Sequence, residues 1–245
     1  MRALTGYVLL TVLAAGVSQN IAAYTDRTRY PRDNVAYAGD IVAIFEGSYR
    51  EFLPTSLQVG LDPTFSDDQV AIIKDACQLF IERALMSQVL ECAFSRSKKD
   101  LPSSRQTFEH ELYTALAPVQ IGENFFPAFA FIARFWDDPK AVGLGYLNLF
   151  NDTDKPLPGY RTRHYLHIAL SSDHLGRNGG YYLSRDEGYW AGVIAHEFLH
   201  NLGYDHPTGY ASSFIKEYGN CIWMNGASAE EPEGTFNDKV ITKED

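Results

Sequence analysis

Residues 196 to 206 read His196, Glu197, Phe198, Leu199, His200, Asn201, Leu202, Gly203, Tyr204, Asp205 and His206, placing three imidazoles and one carboxylate at regular intervals. On an α-helix, side chains four apart stand one above the other, so His196 and His200 can grip one ion from successive turns. Glu197 follows the first histidine at about 100° around the axis, beside that ion rather than bound to it. Gly203 predicts the helix end, because glycine enters the left-handed C′ conformation without a Cβ penalty. The chain then turns back and offers His206 as a third ligand. Three neutral imidazoles leave a zinc ion its charge and an open position for water. The ion lowers that water's pKa toward about 7, and Glu197 stands to accept its proton as general base.

Outward from this stretch, Ser184 and Glu187 read as a capping box at the start of the helix. Trp190, Val193, Ile194 and Leu199 supply apolar surface, and Tyr189, Val193, His196 and His200 share one stripe. Upstream, Ser66 to Phe94 reads as one long helix with Ser66 as N-cap and Asp67 and Asp68 in its first turn. Val70, Ile73, Cys77, Phe80 and Ala84 recur along it at helical spacing. Ser95 to Ser104 is a basic, polar loop, and Thr107 to Leu116 a short helix closed by Pro118. Strand patterns cover Ile41 to Phe45, Ala128 to Trp136 and Ala141 to Phe150, with a further strand at Tyr160 to Leu170. This order predicts an α+β fold, a mixed twisted sheet with helices packed on it.

A net charge of −10 over 245 residues disfavours nucleic acid and anionic membranes as partners. Residues 1–23 read as a secretory signal peptide: Arg2 supplies a positive start, and the apolar run Val8 to Val17 falls short of the roughly 20 residues that span a bilayer. Export makes a disulfide plausible. Cys77 and Cys92 lie about 22 Å apart on an unbroken helix, so a bridge pairs Cys221 with Cys77 or with Cys92; the alternative is three buried thiols. His164 and His167 point to opposite faces of a strand and do not share an ion. Tyr204, Tyr210 and Tyr218 lie close enough to the ligands for one of them to supply a phenol. Asn151-Asp152-Thr153 is a glycosylation sequon, and no acidic loop has spacing that identifies a calcium site.

The pattern His196-Glu197-x-x-His200-x-x-Gly203-x-x-His206, with Met224 downstream in Cys221-Ile222-Trp223-Met224, resembles the metzincin clan of zinc endopeptidases. The resemblance implies a metzincin-like catalytic domain with an active-site helix and a small C-terminal subdomain. It also implies a first strand at Ser56 to Gly60, a methionine turn at Met224 beneath the zinc, and an edge strand at His164 to Leu170, including His167, that pairs with extended substrate. The expected organisation is a signal peptide at 1–23, an N-terminal extension or pro-segment at 24–55, a zinc peptidase domain at 56–226 and a polar tail at 227–245. The function so implied is a secreted or periplasmic zinc endopeptidase acting on polypeptide, without nucleic acid or stable membrane insertion. Two alternatives accompany it: a secreted zinc-binding protein without turnover, and a hydrolase of amide bonds in cell-wall peptides.

Overall fold

The computed structural model describes residues 41–49, 53–121, 124–126, 128–135, 142–146, 165–172, 174–175, 186–226 and 238–241. The signal segment 1–23, most of the stretch between it and residue 53, the sequon, His164 and Ser184 lie outside the described residues. No helix among the described residues is long and apolar enough to cross a membrane.

Among the described residues, eight strands and five helices follow in order: β1 (Ile41–Tyr49), β2 (Leu53–Leu61), α1 (Asp67–Arg83), α2 (Ser87–Arg96), α3 (Arg105–Leu116), β3 (Val119–Ile121), β4 (Asn124–Phe126), β5 (Ala128–Phe135), β6 (Gly143–Tyr146), β7 (Tyr165–Ser171), α4 (Glu187–Asn201), α5 (Phe214–Trp223) and β8 (Asp238–Ile241). Six strands form one sheet in the order β1-β2-β5-β7-β6-β8, while β3 and β4 make a separate pair. The pairs β2–β5, β5–β7 and β6–β8 are parallel, and β1–β2 and β6–β7 antiparallel. The architecture is therefore α+β with a mixed, open sheet.

Three elements differ from the sequence expectation. The span read as one helix from Ser66 to Phe94 is two, because Met86 is extended (φ −65°, ψ 133°) and starts α2 afresh. Groups far along the chain stabilise the break. Tyr218 donates its phenol to the Ala84 carbonyl at 2.9 Å, and Arg83 donates to the carbonyls of Ile222 and Trp223 at 2.9 and 3.1 Å. The bend brings Cys92 to Cys221, with Cα atoms 5.9 Å apart, and these two form the disulfide. Cys77 stays a buried free thiol on α1, its pKa pushed up by burial. Second, the strand read at Ile41 to Phe45 runs on to Tyr49 as β1 and pairs with β2 from Ile41↔Gly60 to Tyr49↔Leu53. Third, the stretch read as a polar tail contributes β8, which extends the sheet beyond β6.

The N-terminus of α1 forms as its sequence dictates: Ser66 Oγ accepts from Gln69 N, and Gln69 Oε1 accepts from Ser66 N at 3.0 Å. Its inner face, Ile73, Ala76, Cys77 and Phe80, is buried, and the Phe80 ring meets Phe198 of α4 at 5.1 Å. Every residue of α4 from Gly188 to Asn201 is buried, as expected of a helix apolar on nearly all sides. This central helix carries the first two histidines.

Candidate metal centre

α4 begins at Asp186, whose Oδ1 accepts from Tyr189 N at 2.7 Å; this replaces the capping box expected from Ser184 and Glu187. The helix ends at Gly203, which takes φ +94° and donates to His200 O at 2.9 Å, while Tyr204 N reaches Leu199 O at 3.0 Å. The chain reverses there and returns His206 toward the helix. The ligand atoms of His196, His200 and His206 lie within 4.8 Å of one another. Ring centroids are 5.0 Å apart for His196–His200, 5.4 Å for His200–His206 and 5.9 Å for His196–His206. His196 and His200 are 0% exposed, while His206 is half-buried.

The donor set suits a borderline divalent ion such as zinc: three imidazoles converge and no thiolate competes among them. His200 Nδ1 lies 2.9 Å from Tyr204 O. A carbonyl only accepts, so the proton sits on Nδ1 and Nε2 keeps its lone pair for a metal, the arrangement by which a neighbouring acceptor orients an imidazole ligand. Asp205 Oδ1 accepts from the His206 backbone N–H at 2.7 Å and so shapes the turn.

Glu197 is 1% exposed and lies against β6. A Cβ added at Gly143 would stand 2.5 Å from Glu197 Oε1, and one at Gly145 would stand 2.7 Å from Glu197 O and 2.8 Å from His200 Cβ. Two glycines at alternate positions on one strand face therefore let the ligand helix lie directly on the sheet. Asn201, one residue after a ligand, clamps β7: its Oδ1 accepts from His167 N at 2.6 Å and its Nδ2 donates to His167 O at 3.1 Å. The Gly143-Leu144-Gly145 pattern was visible in the sequence as a close-approach signal, whereas nothing marked Asn201 as a clamp.

The strand expected to hold substrate is not an edge. β7 pairs with β5 on one side and β6 on the other, and Asn201 takes the backbone groups of His167 beyond the end of the β6 ladder. His167 and Leu170 are fully buried and His164 lies outside the described residues, so strand addition at β7 is ruled out. Burial pushes the His167 imidazole down to about 3.

Met224 caps α5 and stands next to Trp223, whose ring meets Tyr189 at 5.0 Å and whose carbonyl lies 3.3 Å from a Cβ built at Gly188. That is the first turn of α4, about 12 Å along the axis from His196 and about 18 Å from His200. Trp223, the residue before Met224, thus braces the start of the ligand helix. Of the three tyrosines near the ligands, Tyr204 donates to Glu111 on α3 and Tyr218 to Ala84 O, while the Tyr210 ring packs on His196 and His206 at 5.8 and 5.4 Å.

No family model matches the chain, and no solved structure matches it. Curated proteins that do match include endoribonuclease YbeY from Coxiella burnetii strains Dugway 5J108-111, RSA 331 / Henzerling II and RSA 493 / Nine Mile phase I. Each is 28% identical over 116 residues, covering 44% of this chain and 74% of the relative. These relatives overturn the metzincin endopeptidase assignment, together with its polypeptide substrate and the expectation that nucleic acid is not a partner. That expectation rested on net charge, a property of the whole surface that does not describe one site. The spacing of the three histidines persists as a metal-binding pattern, and these curated relatives are named endoribonucleases.

Proposed function

We propose that this protein is a metal-dependent hydrolase of RNA phosphodiester bonds, with zinc held by His196, His200 and His206. The observation that carries the reading is the likeness to proteins named endoribonucleases, in a chain whose three imidazoles converge within 4.8 Å. A divalent ion so held supplies a Lewis acid and an acidified water. The chain's own groups do the rest. Tyr204 O keeps the His200 proton on Nδ1 and so leaves Nε2 to the ion. Glu197, buried one residue after a ligand, is the carboxylate proposed to take up the water's proton at an Oε atom. Net charge −10 opposes long-range attraction of a polyanion, so RNA affinity on this reading comes from contacts near the centre and is weak at high salt.

The test uses the full chain, loaded with one zinc, on an end-labelled RNA containing single-stranded and paired regions. Internal cuts that vanish with a chelator and in His196→Ala, and that fall sharply in Glu197→Gln with zinc retained, are the expected result. Intact RNA in the presence of stoichiometric zinc sinks the RNA reading while leaving the metal centre in place.

A further inference from the structure

We propose that Tyr210 is a positioning residue for the metal centre: its ring, backed by the Lys216 ammonium, holds the His206 imidazole in register with that of His196. The inference rests on the metal-centre part of the reading above and not on RNA as substrate. Two of the ligands need no such help. His196 and His200 project from a helix buried along its length, and their rotamers are set by packing around them. His206 comes after the helix has ended, on a turn where Gly203, Pro207, Thr208 and Gly209 are exposed. A half-buried imidazole on such a turn has rotameric freedom that must be lost before it can ligate.

Tyr210 is the side chain that bridges the two kinds of ligand. Its ring meets His206 edge-on, at 5.4 Å and 88°, and meets His196 at 5.8 Å and 51°. Tyr210 is itself held at its backbone and at its ring. Ser213 at the start of α5 donates to Tyr210 O from its backbone N at 3.1 Å and from its hydroxyl at 2.8 Å. Lys216, buried in the first turn of α5, places its ammonium 5.9 Å from the ring centroid, within cation–π range. The ammonium is 3.7 Å from Glu217, a carboxylate it shares with Arg96, which is nearer at 2.8 Å. The same turn is closed by Gly209 N donating to His206 O at 3.0 Å.

The experiment is zinc affinity of the full chain, measured by competition with a chromophoric chelator, alongside the visible spectrum of the Co2+-loaded protein. Tyr210→Ala is expected to weaken zinc roughly 10- to 100-fold, the effect of losing a group that orients a ligand, and to change the cobalt spectrum. Tyr210→Phe keeps the ring and stays within about threefold of the parent. Wild-type affinity and spectrum in Tyr210→Ala, even with a lowered melting temperature of the metal-free protein, overturn the proposal. Equal losses in the Phe and Ala variants also overturn it, because the hydroxyl and not the ring would then be responsible. Should the Ala variant fail to fold, Tyr210→Leu carries the same test. Absence of RNA cleavage by the parent defeats the preceding proposal and leaves this one to its own measurement, whereas a parent that binds no zinc defeats both.

Discussion

The helix α4 and the turn after it each contribute histidines to one cluster that could hold a metal ion, and they secure them by different means. From Gly188 to Asn201 the helix is buried on every side, pressed on β6 at Gly143 and Gly145 and tied to β7 by Asn201. The turn from Leu202 to Ser212 is partly open, and its one ligand depends on Tyr210 and on the start of α5. A ligand on a buried helix is held by the packing that also holds the fold. A ligand on a turn is held by a few contacts that stability barely registers.

Paired ligand variants test that contrast most directly. His200→Ala and His206→Ala should each lower zinc affinity on the order of a thousandfold or more. They should part company in the metal-free protein: His200→Ala opens a buried site and costs roughly 2 kcal/mol, while His206→Ala stays within about 0.5 kcal/mol. Urea unfolding of both apo variants reads the difference, and equal stabilities would remove the distinction. The next largest effect concerns the disulfide. Cys92 and Cys221 are 129 residues apart in sequence, and their joint replacement by Ser should cost roughly 2–5 kcal/mol. Because the bridge anchors α5, metal-free unfolding and zinc affinity should both suffer, and zinc affinity untouched at full folding would show that the turn does not lean on α5.

Gly145→Ala probes the helix side. The new Cβ would meet the Glu197 carbonyl and His200 Cβ, neither of which is a flexible side-chain end, so overpacking should cost about 1–3 kcal/mol and disturb zinc binding through His200. Parent-like unfolding midpoint and affinity would show that β6 is free to move away. The last effect is in pH. His167 is held down to about 3 when folded against about 6.5 when unfolded, so between these values the unfolded chain binds the extra proton. Stability therefore rises with pH across that window and is lost as pH falls from about 6.5 toward 3, by up to about 1.4 kcal/mol per pH unit. His167→Leu should flatten this part of the metal-free stability profile, and an unchanged slope would show that His167 does not contribute it.

Much of the fold was legible because it is written in local periods. The α1 N-cap sits at Ser66, the strands at β5 and β7 follow their apolar patterns, and Gly203 stops the ligand helix where glycine was expected to. The break between α1 and α2 was not legible, since Leu85, Met86 and Ser87 carry no strong helix-breaking signal and the groups that stabilise it, Tyr218, Ile222 and Trp223, come more than 130 residues later. β8 escaped notice because Asp238–Ile241 is four residues long and half charged, too short for a period to show. The site was legible in its ligands and illegible in its supports: Asn201 and Lys216 look like ordinary polar helix residues until the strand and the ring they serve are placed beside them.

The three-histidine centre was thus settled by the order of residues 196 to 206, because helical pitch and a glycine stop are short-range effects that the chain carries with it wherever it folds. Which cysteine pairs with Cys221 and whether β7 lies inside the sheet were settled by packing, because each depends on contacts between segments far apart in sequence. Spacing determines that imidazoles can share an ion. The class of bond that such an ion acts on depends on what surrounds it, which is why the same spacing was compatible with a peptidase reading until the chain was compared with other proteins.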